Sequence, residues 1–99
     1  MAGPIYKVFM AKYTDAWYKL SAGERAKLAA QGEEALKKVG GEKVVYCYSF
    51  WCSEEWLGWG VEKYPDIDAV QNYAQLLWNL NWYNYIESKS YLGSEMPPM

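Results

Sequence analysis

Apolar positions change their spacing along this chain, and the changes mark out six elements. Ile5 to Tyr13 is rich in β-branched and aromatic residues, which predicts a strand opening just after Pro4. Thr14 to Leu20 reads as a loop. Ser21-Ala22-Gly23-Glu24 fits a capping box, in which the Ser hydroxyl accepts from a free amide and the Glu reaches back. The spacing then turns helical from about Ala22 to Val39. Leu28, Gly32, Ala35, Leu36 and Val39 share one face, while Lys27, Glu33, Glu34, Lys37 and Lys38 fall mostly elsewhere. Lys37 and Lys38 suit the dipole at the helix end, and Gly40-Gly41 supplies a left-handed residue to stop it.

Glu42 to Trp51 predicts a second strand, Cys52 to Glu55 a polar turn, and Trp56 to Tyr64 a third strand. The pair forms a hairpin with tryptophans flanking its turn. Pro65 ends the third strand, and Asp66 or Asp68 caps a helix over about Ile67 to Leu80. Its apolar face is Ile67, Val70, Ala74 and Leu77, with Tyr73 and Trp78 alongside. Trp82 to Leu92 reads as a fourth strand. Met96-Pro97-Pro98-Met99 cannot extend a sheet. The expectation is one domain over residues 1–95 and an exposed tail over 96–99.

Strand, helix, strand, strand, helix, strand with right-handed crossovers makes a four-stranded antiparallel sheet. Both helices lie on one face, and the first and third strands are central. In the third strand Leu57, Trp59 and Val61 point one way. Trp56, Gly58, Gly60, Glu62 and Tyr64 point the other. Neither set suits water, so the helix-free side needs a cover that the chain itself does not supply. A second copy, in a homodimer, is the simplest.

Composition sharpens the chemistry. Aromatics make up 18% of the 99 residues, with six Trp, ten Tyr and two Phe, and there is no His. The missing imidazole removes the commonest general base and metal ligand together. Cys47 and Cys52 lack a histidine to activate them and fall short of a zinc site. No metal, haem or other cofactor is expected. A net charge of −2, from ten Lys+Arg against twelve Asp+Glu, argues against nucleic-acid binding. No apolar run is long enough for a bilayer. Met1-Ala2-Gly3-Pro4 lacks the charged and apolar regions of a secretory signal, so a cytoplasmic location is expected.

The element order and the double-sided apolar sheet resemble the dimeric α+β barrel superfamily, which is built on a ferredoxin-like βαββαβ unit. The segment Val61-Glu62-Lys63-Tyr64-Pro65-Asp66-Ile67-Asp68-Ala69-Val70 is similar to the strand-to-helix join of small antibiotic-biosynthesis-type monooxygenases. Those carry a Glu on the strand, an aromatic two residues on and a helix-capping Asp. Where a histidine usually follows on the helix, this chain has Tyr73. Stress-responsive, muconolactone-isomerase-like and haem-binding barrels belong to the same superfamily, and the haem-ligating members match poorly without His. The resemblance implies a cofactor-independent, monooxygenase- or isomerase-like activity. The RNA-recognition motif shares the element order. Here Leu57-Gly58-Trp59-Gly60-Val61-Glu62-Lys63-Tyr64 lacks the leading cation of its third-strand signature and puts an acid at an apolar position.

Glu62 is the candidate catalytic residue, because a desolvated carboxylate works as a proton acceptor near neutrality. The competing role is a salt bridge to Lys7, Lys12 or Lys89. Gly58 and Gly60 leave adjacent vacancies that either admit packed side chains or form a pocket floor. Tyr13, Tyr46, Tyr48, Tyr73, Tyr83 and Tyr85, with Asn81 and Asn84, offer donors for a pocket or a packed interface. The candidate ligand-binding set is Gly58, Trp59, Gly60, Tyr64, Tyr73, Asn84 and Tyr85. Two functions remain open: a barrel that binds or transforms a small, largely apolar aromatic molecule, and a non-catalytic dimeric module.

Overall fold

The computed structural model describes residues 3–98. Met1 and Ala2, which open the segment read for a signal, and Met99, which ends the predicted tail, lie outside them. Strand β1 is Ile5–Tyr13 and leads into a four-residue helix α1, Asp15–Tyr18, where a loop was expected. Tyr13 stacks on Trp17 at 4.2 Å with the rings nearly parallel. Arg25 holds the turn from the next helix, donating to the carbonyls of Trp17 and Tyr18. A tertiary clasp therefore winds a segment whose own residues do not specify a helix.

Helix α2, Ala22–Lys38, begins on the predicted capping box. The Glu24 amide donates to Ser21 Oγ and the Ser21 amide donates to Glu24 Oε1. It ends on Gly40 at φ 78°, with the Gly41 amide donating back to the Leu36 carbonyl. Those are the bonds of a Schellman cap, and only glycine takes that φ cheaply.

Strand β2, Glu42–Tyr48, and β3, Gly58–Tyr64, form the hairpin, but both stop short of the predicted tryptophans. Buried Ser49 organises the connection: its amide donates to Leu57, its hydroxyl to the Trp56 carbonyl, and its carbonyl accepts from Cys52 and Ser53. Outside the ladder the strict alternation fails. Leu57 borders the space beside the sheet, while the Trp56 ring lies 5.2 Å from the Lys12 ammonium.

Helix α3, Ile67–Asn79, is capped by Asp66, whose carboxylate accepts from the Ala69 amide at 2.8 Å. Asn81 then takes a left-handed φ of 61°. The residues predicted to open the last strand instead form a second short helix, α4, Trp82–Tyr85, before β4, Ile86–Gly93. Gly32 explains the departure. The Trp82 ring lies where a Cβ at Gly32 would sit, 2.7 Å away, so a glycine on α2 draws Trp82 out of the sheet. Packing overrides the strong β-propensity of Trp82-Tyr83-Asn84-Tyr85.

The four strands are antiparallel in the order β2-β3-β1-β4, with helices on one face. This is the expected ferredoxin-like α+β fold, with β1 and β3 central. Register places Gly60, Glu62 and Tyr64 of β3 under the helices with Lys7 and Phe9 of β1. The core there joins Leu36, Tyr64, Tyr73 and Leu77, and Tyr64 is fully buried. Trp59 and Val61 share the helix-free face with Val8 and Met10, and Val8, Trp59 and Tyr91 stay exposed. Both faces are therefore apolar, as the pattern predicted. No helix among the described residues is long and apolar enough to cross a membrane.

Candidate functional site

Between the helix side of the sheet and the helices lies a cavity of about 550 Å³. Lys7, Phe9, Ala11 and Tyr13 of β1, with Gly58 and Glu62 of β3, form much of its floor. Tyr46 and Tyr48 border it from β2, and Ser88 and Ser90 from β4. Gly32 and Leu36 of α2, Tyr73 and Leu77 of α3, and Trp82 of α4 form the opposite wall. Trp17 of α1 lines it as well. A space of this size with aromatic walls and few polar groups has the character of a small-molecule pocket.

One polar cluster centres on Glu62, which is 2% exposed. Lys7 stands directly opposite on β1, so the two share a face, and Lys7 Nζ is 3.4 Å from Glu62 Oε1. Tyr64, two residues along the same strand, donates its hydroxyl to Oε1 at 2.5 Å. Tyr46 donates to Oε2 from β2. Of the three lysines that the sequence offered as partners, the fold selects Lys7; Lys12 pairs with Glu87 instead.

These surroundings keep the phenols protonated. Burial pushes the Tyr64 hydroxyl far above the usual tyrosine value, and its bond to the Glu62 carboxylate adds to the shift. Burial, then the same bond, does so for Tyr46. Tyr73 is raised by burial and then by the negative charge of Glu62, and Tyr83 likewise. The phenols therefore act as hydrogen-bond donors. A carboxylate that already accepts from two of them, with an ammonium alongside, has three of its roughly four acceptor positions taken.

The candidate residues divide. Glu62, Tyr73, Gly58 and Trp59 border the cavity. Register nevertheless puts the Trp59 side chain with Met10 on the helix-free face. Gly60 lies under the cavity side, but its vacancy is filled: a Cβ there would meet Tyr46 at 2.6 Å and Phe9 at 2.7 Å. Those two rings pack edge to face across it. Tyr64 is core and reaches the site only through Glu62. Asn84 and Tyr85 lie apart, because α4 replaces the start of the last strand. Their carbonyls accept from the Thr14 hydroxyl and amide. The sequence reading placed Phe9, Leu36 and Leu77 in no pocket. Only the sheet register and helix packing bring them together.

Among the described residues no cluster of His, Cys, Asp or Glu could hold a metal ion. The cavity has no imidazole to offer a haem iron.

No protein family matches the chain by sequence, and neither does any curated protein. Solved structures do match. A protein of unknown function from Rhodopseudomonas palustris, RPA0582, superposes with a TM-score of 0.68 at 14% identity, covering 99% of this chain and 86% of that one. The fold is ferredoxin-like. Chlorite dismutase from Candidatus Nitrospira defluvii, in complex with imidazole, superposes at 0.78 with 11% identity over 99% of this chain. This chain spans only 42% of that protein's length. Identities this low speak for the fold alone.

Proposed function

We propose that this chain binds a small, largely apolar aromatic molecule in the cavity between sheet and helices. The carrying observation is the cavity itself, about 550 Å³ and largely aromatic-walled, with a buried carboxylate and its lysine partner on its floor. The resemblance to antibiotic-biosynthesis-type monooxygenases adds a finer reading: cofactor-independent oxygenase- or isomerase-like chemistry on that molecule. Glu62 is its candidate catalytic residue, and its bonds to Tyr46, Tyr64 and Lys7 favour an anchoring role over proton abstraction. Trp17 and Trp82 at the cavity make binding visible without a label. An uncharged naphthalene derivative should quench tryptophan fluorescence saturably. It should also raise Tm, by about 2.7 kcal/mol of added stability at a hundred times its Kd. Saturable binding by no member of a broad aromatic panel would refute the reading.

A second observation supports the barrel assembly. Val8, Met10, Trp59, Val61 and Tyr91 leave the helix-free face apolar and partly exposed. Two such faces packed about a two-fold axis would cover each other. Light scattering at low micromolar concentration should return twice the chain mass, and Trp59→Lys should return the mass of one chain. A monomeric wild-type protein would exclude the assembly without touching the cavity.

A further inference from the structure

The Glu62 end of the cavity holds more donors than the protein uses. Lys7 has three N–H donors. Its one ion-pair partner among the described residues is Glu62, at 3.4 Å. Tyr73 is 6% exposed, and its hydroxyl makes no hydrogen bond among the described residues. Among the described residues no fully buried side-chain polar atom lacks a partner, so that hydroxyl opens onto accessible space, and Tyr73 lines the cavity. The Lys7 ammonium lies 5.0 Å from the Tyr73 ring centroid, so both unused donors belong to the same end.

Charge narrows what can meet them. The positive Lys7 and negative Glu62 cancel, and the other charged lining residues, Lys12 and Glu33, offset each other. An anion would gain no net attraction there and would lose its hydration. An uncharged acceptor oxygen can take both donors at a much smaller desolvation cost.

We propose that Lys7 and Tyr73 form an acceptor subsite, where an uncharged carbonyl-type oxygen of the ligand receives a hydrogen bond from the Tyr73 hydroxyl and the Lys7 ammonium. The inference rests on the cavity being the binding site and names what sets its selectivity. Glu62, bound by Tyr46 and Tyr64, holds Lys7 in place and leaves the Tyr73 hydroxyl free.

Three matched probes test this by equilibrium dialysis against the full chain: 2-acetonaphthone, 2-ethylnaphthalene of the same shape without the oxygen, and 2-naphthoate. The ketone should bind roughly tenfold tighter than the hydrocarbon, a ratio shared between its two hydrogen bonds, each of modest net strength. The naphthoate should bind more weakly than the ketone, with no dependence on salt. Tyr73→Phe removes a hydroxyl that has no partner among the described residues. It should reduce the ketone-to-hydrocarbon ratio to threefold or less and leave the hydrocarbon's affinity unchanged. Equal wild-type affinity for ketone and hydrocarbon would overturn the subsite while leaving the cavity as an apolar binding site. So would salt-sensitive preference for the naphthoate, or an unchanged ratio in Tyr73→Phe. Binding of none of the three would overturn the cavity reading and the subsite together. The wild-type comparison needs no variant, so a misfolded Tyr73→Phe would not shield the proposal.

Discussion

Lys7→Met is expected to cost about 3–5 kcal/mol of folding stability, the range for stranding one member of a buried ion pair. Glu62 is almost wholly buried and the Lys7 side chain is 17% exposed, under the helices. Methionine keeps most of lysine's apolar stem but leaves the carboxylate without a counter-charge. In a domain of this size the loss corresponds to a fall in Tm of roughly 12 °C or more. The control is Lys12→Met. Lys12 and Glu87 approach more closely, at 3.0 Å, yet both side chains are substantially exposed. Exposed pairs contribute about 1 kcal/mol or less. Glu62→Gln should fall between the two, about 1–3 kcal/mol, since it keeps an acceptor oxygen for one tyrosine and disturbs the other. Thermal melts of the three variants decide the matter. Equal costs for Lys7→Met and Lys12→Met would show that burial does not govern the pair.

The second large effect appears in alkali. Tyr64 and Tyr73 are buried, and burial together with the Glu62 charge raises both phenols in the folded chain. In the unfolded chain they ionise near the ordinary value of about 10. The folded state thus holds protons that the unfolded state releases. Stability should be intact below about pH 10 and should fall as the pH rises beyond it. Each such tyrosine contributes about 1.4 kcal/mol per pH unit, so the pair removes roughly 3 kcal/mol per unit. A domain with ~5–15 kcal/mol in hand then unfolds within a few units. The chain has ten tyrosines, and the exposed ones should titrate first without loss of structure. Tyrosinate absorbance followed alongside circular dichroism should show a second, cooperative step that coincides with unfolding. Ionisation of all ten in a single step near pH 10, with circular dichroism unchanged, would contradict the buried-phenol picture.

Much of the fold is legible in the residues. The capping box at Ser21, the Gly40-Gly41 stop and the Asp66 cap are local chemistry, and each works in the structure as its sequence implies. The central position of β1 and β3 follows from element order and crossover handedness. Boundaries fail where distant contacts decide. Helix α4 forms because Gly32, fifty residues earlier in the chain, receives the Trp82 ring. Helix α1 forms because Arg25 grips two of its carbonyls. The same failures removed Asn84 and Tyr85 from the pocket, since a strand beginning at Trp82 would have carried them along the sheet.

The sequence by itself determined the element order, the two apolar sheet faces and the unusual position of Glu62. These depend on residue type and short-range spacing, which a chain carries with it. Which face the helices cover, which lysine meets Glu62 and which rings close the cavity were decided by tertiary structure. Strand register sets Lys7 opposite Glu62, and it turns Gly60 from a vacancy into the seat of Tyr46 and Phe9. Register is a relation between segments far apart in the chain, and a slip of one residue would send every one of these side chains to the other face.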